Sequence, residues 1–140
     1  MLSSEKCVPK GIDLTFIGTG NSFSEELGNS SAVINVNEKN LVIDFGYTVQ
    51  RGYKKLYSKN PDAIFITHTH LDHIGGLESL FYSIAFAKND LIKLFVPTKI
   101  IPTLHRRMAS VPNISADGGL NFWDVFQLIP VEDNFWFEGV

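Results

Sequence analysis

A single cysteine, Cys7, stands in the whole 140-residue chain. It rules out an intramolecular disulfide and a cysteine-rich metal site, and such sparse use fits a reducing cytosol. Cys7 itself carries no redox or catalytic assignment. Positive charge is also in short supply, with 12 Lys and Arg against 15 Asp and Glu and a net charge of −3. That balance provides no global basic field for holding nucleic acid regardless of its sequence. The small basic pairs, Lys54 with Lys55 and Arg106 with Arg107, read as solvated helix faces. Long apolar runs are missing too. None approaches the roughly 18 residues of a membrane span, and the opening MLSSEKCVPKG lacks the apolar stretch of a signal peptide. The expectation is a soluble, cytoplasmic protein with no membrane association.

What is present suffices for a core. The chain is 44% hydrophobic and has 11 phenylalanines, and its length suits one globular domain spanning residues 1–140. IDLTFIG from Ile12 alternates apolar residues and runs into GTGNS, a strand and a tight loop. SAVINV from Ser31 and NLVIDF from Asn40 predict two further strands, joined by hairpin-turn residues in NVNEKN. Val49, Tyr53, Leu56 and Tyr57 share a helical face before Asn60 and Pro61. DAIFIT predicts a strand buried on both faces. Ile74, Leu77, Phe81 and Ile84 then predict one amphipathic helix that starts near Asp72 and His73. IKLFV from Ile92 predicts a buried strand, and TKIIPTLHRRM predicts a helix kinked or broken at Pro102. GGL, VFQLIPV and NFWF predict a loop and two closing strands.

Against this ordinary background stands THTHLDHIGG, residues 67–76, which holds three of the four histidines. His68 and His70 lie two apart just past a strand, so alternation along extended chain turns both the same way. Asp72 and His73 follow on the turn into the helix, where they reach a second position. Imidazole and carboxylate are the usual protein ligands of catalytic zinc. Two metals about 3.5–4 Å apart clamp both the attacking and the leaving oxygen of a displacement. Three histidines and an aspartate gathered without a cation would be a costly cluster of titrating groups. Gly75 and Gly76 let the helix start pack closely beside them.

These residues resemble the HxHxDH signature of the metallo-β-lactamase superfamily. FIGTGNSFS from Phe16, NSSAVI from Asn29, LVIDFG from Leu41 and PDAIFITHTHLDHIGGLESLF from Pro61 are together similar to the N-terminal half of its ribonuclease Z-like branch. They also look like the phage-type cyclic-nucleotide phosphodiesterases of that branch. The resemblance implies an α/β fold, the αββα sandwich of two β-sheets between helices, of which this chain covers the N-terminal half as a mixed sheet flanked by helices. It further implies that His68 and His70 bind a first metal, that Asp72 and His73 bind a second, and that Asp72 accepts a proton. The metals would be two zinc ions, with manganese or iron as alternatives. Asp44, in VIDFG, matches an acidic position that orients a ligand histidine by hydrogen bond. Thr19, Asn21 and Ser22 lie in a loop that borders such sites and read as turn residues. Leu71 stands where ribonuclease Z carries glycine, which points away from tRNA processing.

The superfamily also uses a third histidine for the first metal, a bridging aspartate and a last histidine for the second. His105 is the remaining histidine and reads as a surface residue of a helix, and Asp117, Asp124 and Asp133 have no support as the bridge. The expectation is a C-terminally truncated domain whose sheet leaves one apolar face without a partner. Such a face drives dimerisation or pairing with a chain that completes the fold. The function expected is that of a metal-dependent hydrolase acting on a phosphodiester or nucleotide substrate through a metal-bound hydroxide. The alternatives are a truncated, non-catalytic metal-binding or interaction module and a thioester or lactam hydrolase of the same superfamily.

Overall fold

The computed structural model describes residues 11–85, 91–111 and 119–140. Cys7 and Asp117 lie outside them. Six strands form one sheet in chain order: β1 (Ile12–Gly18), β2 (Ser31–Val36), β3 (Lys39–Ile43), β4 (Ala63–Phe65), β5 (Ile92–Pro97) and β6 (Phe126–Val131). The first three pair antiparallel and the last three add in parallel. Asn37 and Glu38 join β2 to β3 with φ of 50° and 65°, the paired left-handed residues of a two-residue hairpin turn whose twist matches the strands. The parallel connections carry the helices α1 (Val49–Leu56), α2 (Leu71–Ile74), α3 (Leu77–Ile84) and α4 (Ile101–Met108).

Strand alternation divides the apolar residues between two faces. Val33, Val42, Ile64 and Leu94 stand in register across the sheet. They are buried against Val49 and Tyr53 of α1, Leu77, Leu80, Phe81 and Ile84 of α3, and Leu104 and Met108 of α4. Among the described residues, the opposite face has no helix. Val36, Leu41, Ala63, Phe95 and Val131 form a smaller cluster there, roofed by Phe135 and Phe137. Towards β1 that roof ends. Leu14 pairs with Ile34 and Phe16 with Ala32 on this face, and Leu14 and Phe16 are 58% and 65% exposed.

Four predicted elements differ from the structure, each for a local reason. Asn134–Phe137 forms no strand. Phe135 instead stacks on Phe65 and Phe95, with ring centroids 5.2 and 4.4 Å apart, so covering apolar sheet outweighs extending it. Pro102 lies at the beginning of α4 rather than kinking or breaking a helix. It occupies the first turn, where its missing N–H was never going to find a partner, and Thr98–Ile100 precede it as a 3-10 turn. Leu56 is exposed rather than on the buried face of α1, because Tyr57 takes the inward position and stacks on Tyr53 at 4.8 Å. The helix predicted from Ile74 is two helices, α2 and α3, separated at Gly75 and Gly76. The cause of that break lies at the site.

Candidate metal centre

β4 ends at Phe65, and the chain continues through buried Ile66, whose N–H donates to the Phe95 carbonyl at 3.0 Å. Thr67 to His70 then leave the sheet at the C-terminal edge of a central parallel strand, where open α/β sheets form their ligand crevices. His70 has extended backbone and precedes α2, its carbonyl accepting from the N–H groups of His73 and Ile74 at 2.9 and 3.1 Å. Asp72 and His73 therefore sit on a tight helical turn facing back towards His68 and His70.

A neighbouring segment holds that turn in place. The Phe45 N–H donates to the His73 carbonyl at 2.7 Å, and the Gly76 N–H donates to the Phe45 carbonyl at 2.9 Å. The backbones approach so closely that a Cβ on Gly46 would collide with the Asp72 carbonyl, and one on Gly76 with the Gly46 carbonyl. Glycine at both positions permits the approach, and the approach splits α2 from α3. Asn29 and Thr48 brace the segment from the other side: the Asn29 N–H donates to Thr48 Oγ1 at 2.8 Å, and the Thr48 N–H donates to Asn29 Oδ1 at 3.3 Å.

Asp44 directly follows β3 with φ of 59°, left-handed backbone that aspartate tolerates better than most residues. It is 5% exposed. Its Oδ1 accepts from the Thr67 N–H at 2.7 Å, and its Oδ2 accepts from the Thr67 hydroxyl at 2.6 Å. His73 Nδ1 lies 2.6 Å from the same Oδ2. Both oxygens of Asp44 are thus engaged by protein groups. A carboxylate accepts only, so the shared proton resides on Nδ1 and the lone pair of His73 is on Nε2.

That Nε2 lies 3.2 Å from Asp72 Oδ2. Two lone-pair atoms at this distance repel unless positive charge joins them, either a further proton or a cation. The donor atoms of His68, His70 and Asp72 all lie within 4.8 Å of one another. The His68 ring is 3.8 Å from that of His73 and 4.8 Å from that of His70, centroid to centroid. Imidazole nitrogens and carboxylate oxygens converging in this way are the donor chemistry of a divalent-metal site, and the residues fit one. Asp44, His68 and His73 also come within 4.8 Å, but the 2.6 Å contact between His73 and Asp44 leaves no room for an ion between them.

The four sequence-predicted ligands and Asp44 are thus brought together, and the other candidates lie elsewhere. His105 is exposed on α4, its Nδ1 accepting from Trp123 Nε1 at 3.1 Å, in a groove shared with Leu91 before β5. Asp124 caps a 3-10 turn by accepting from the Asn121 N–H at 2.7 Å, and Asp133 is exposed. Asn21 closes its own loop by accepting from the Phe23 N–H at 2.9 Å, and the Thr19 N–H donates to the Leu27 carbonyl at 3.1 Å. Among the described residues, the groups of three or more histidine or acidic side chains able to hold an ion draw only on Asp44, His68, His70, Asp72 and His73. Thr67 escaped the sequence reading. Its signal is a hydroxyl directly before the first histidine, and its partner lies 23 positions away.

A sequence profile of the Anti-Pycsar protein Apyc1 family matches residues 12–139. The Anti-Pycsar protein Apyc1 of Paenibacillus xerothermodurans is 32% identical over 126 residues, which cover 87% of this chain and 50% of that protein. The one from Bacillus phage vB_BsuM-Goe3 is 39% identical over 119 residues, covering 82% of this chain and 43% of that protein. The chain therefore spans about half the length of these relatives. Among solved structures, it is similar to the metallo-β-lactamase fold protein YhfI from Bacillus subtilis, with a TM-score of 0.66, 15% identity, and coverage of 87% of this chain and 46% of that one. It is also similar to the short form of human tRNase Z, with a TM-score of 0.60, 27% identity, and coverage of 85% of this chain and 44% of that one. No described helix is long and apolar enough to cross a membrane. The mixed sheet with its flanking helices is of the metallo-β-lactamase type, and the chain belongs to the Anti-Pycsar protein Apyc1 family.

Proposed function

We propose that this chain carries the first metal-ligand motif of a divalent-metal-dependent hydrolase that cleaves phosphodiester bonds in cyclic nucleotides. The carrying observation is the convergence of His68, His70 and Asp72 within 4.8 Å, with His73 Nε2 facing Asp72. His68 and His70 would hold one ion, and Asp72 and His73 a second. Zinc suits these donors, with manganese and iron as the alternatives. When bound, such ions supply Lewis acidity towards a phosphoryl group and acidify water. Asp72 is the carboxylate left accessible, its side chain 21% exposed against 6% for Asp44, and we assign proton transfer to it. Asp44 keeps His73 in the tautomer that leaves Nε2 free. The cyclic-nucleotide substrate is supported by the sequence resemblance to phage-type phosphodiesterases. Leu71, in place of the glycine of ribonuclease Z, speaks against tRNA processing.

The remaining metal ligands, in this reading, come from polypeptide corresponding to the half of the relatives' length that this chain does not span. The same polypeptide covers the open face beside Leu14 and Phe16. A homodimer through that face is the competing arrangement. A second functional reading, a metal-binding or interaction module without turnover, draws on the lack of further ligand groups among the described residues. Thioester or lactam hydrolysis shares the cluster and differs in its substrate pocket.

The deciding experiment is metal content per chain by elemental mass spectrometry, with the double variant His68→Ala/His70→Ala as control. Metal lost in the control supports the site, and turnover of cyclic nucleotides in preference to tRNA precursors, thioesters or lactams supports the substrate. A folded chain without metal overturns the metal-site reading.

A further inference from the structure

We propose that Thr67 is a positioning residue that sets the tautomer of His68, coupling it to the same buried carboxylate that orients His73. This inference deepens the metal-site reading and rests on it for its functional meaning, while the tautomer itself can be measured without any metal.

The protons around one oxygen decide the direction of both of its hydrogen bonds. The Thr67 hydroxyl has a single proton to donate. Its Oγ1 lies 2.6 Å from Asp44 Oδ2 and 3.1 Å from His68 Nδ1. An ionised carboxylate can only accept, and charge-assisted bonds are the short, strong ones. The hydroxyl proton therefore goes to Asp44. Towards His68 the hydroxyl is left with lone pairs alone, so His68 Nδ1 must donate. The proton of neutral His68 thus resides on Nδ1, and its lone pair is on Nε2.

The carboxylate of Asp44 is anchored on its other side. Oδ1 accepts the Thr67 N–H at 2.7 Å, so Thr67 grips both oxygens, one through its backbone and one through its hydroxyl. The Ser31 hydroxyl donates to the Asp44 carbonyl at 2.9 Å and holds the left-handed residue in place. Asp44 thereby directs two imidazoles, His73 by direct contact and His68 through one intervening hydroxyl. Both turn Nδ1 to the protein and leave Nε2 as the donor atom. A metal-ligating histidine is oriented in this way by the partner of its other nitrogen, and a hydroxyl relay does the work of a second carboxylate without adding a second buried charge.

The test is histidine-labelled NMR on the metal-free 140-residue chain as wild type, Thr67→Val and Thr67→Ser, since imidazole nitrogen shifts distinguish the two neutral tautomers. Wild type and Thr67→Ser are expected to show His68 protonated at Nδ1, and Thr67→Val to shift towards protonation at Nε2. Zinc affinity, measured by chelator competition, should fall about 10–100-fold in Thr67→Val and recover in Thr67→Ser. Thermal melting of each variant separates loss of folding from loss of orientation. His68 found protonated at Nε2 in the wild type overturns the proposal without recourse to any variant. So does a folded Thr67→Val chain with unchanged tautomer and affinity. If the tautomer follows the hydroxyl and yet the wild type takes up no metal, the relay stands and the metal-site reading falls.

Discussion

His73 Nδ1 lies 2.6 Å from Oδ2 of Asp44, a residue 29 positions earlier in the chain and 5% exposed. This contact joins the end of β3 to the turn of α2, and it makes the orientation of one imidazole depend on the placement of a different strand. The backbone bonds of Phe45 to His73 and of Gly76 to Phe45 run alongside it. Site geometry and the docking of α2 on the sheet are therefore the same structural event.

Replacing Asp44 by Asn keeps the shape and reverses part of the hydrogen bonding. One side-chain atom becomes a donor that confronts Thr67 or His73. Removing a charged partner from a buried network costs about 1–3 kcal/mol, so urea unfolding should show a lower midpoint. Metal affinity should fall about 10–100-fold, as read by chelator competition. Unchanged affinity would mean that Asp44 has no part in orienting the ligands.

Gly46→Ala places a methyl group against the Asp72 carbonyl. The collision is with backbone and cannot be relieved by a rotamer change, so α2 must move off the 45–46 segment. Overpacking of this kind costs about 1–3 kcal/mol. The expected result is a lower melting temperature together with weakened metal uptake. Gly11→Ala meets open space and serves as the control that should change neither.

Burial pushes the Tyr53 phenol up from 10.0 to about 12, opposed in part by its hydrogen bond with Asn40. The folded pKa is the higher one, so the stability that Tyr53 contributes is complete below pH 10 and is lost as pH rises through about 12. Between these values the unfolded chain releases a proton that the folded chain keeps. Denaturant titrations at increasing pH should show wild type losing stability relative to Tyr53→Phe over that interval and a constant difference below it. Parallel curves throughout would place Tyr53 in a wetter environment than its 2% exposure indicates.

Leu14 and Phe16 are more than half exposed on the sheet face opposite the described helices. Leu14→Glu/Phe16→Glu should leave the melting temperature of the isolated chain within a few degrees, because little packing is lost, and should reduce its self-association in sedimentation velocity. If the variant sediments as the wild type does, this face does not drive association.

Much of the architecture was legible because it is local. Alternation in IDLTFIG and the short apolar runs SAVINV and IKLFV are properties of adjacent residues, and they identified strands that the structure contains. The NVNEKN turn needs only the two left-handed residues it holds. The structure departs from the local pattern where distant surfaces compete for the same residues. NFWF has the composition of a strand, but Phe65 and Phe95 offered its Phe135 ring a stacking site. Pro102 reads as a breaker until the preceding turn places it in the first turn of a helix, where proline costs nothing.

The same division holds at the site. His68, His70, Asp72 and His73 lie within six consecutive positions, so their chemistry and proximity were determined by sequence alone, as was the presence of an acidic residue at the end of β3. Only the tertiary structure decided what each of them faces. Parallel pairing of β3 with β4 puts Asp44 beside Thr67, and two glycines let α2 approach within backbone contact. One carboxylate thereby reaches His73 directly and His68 through a hydroxyl. Covalent spacing sets which donors are available, but hydrogen-bond direction depends on partners that long-range pairing brings together.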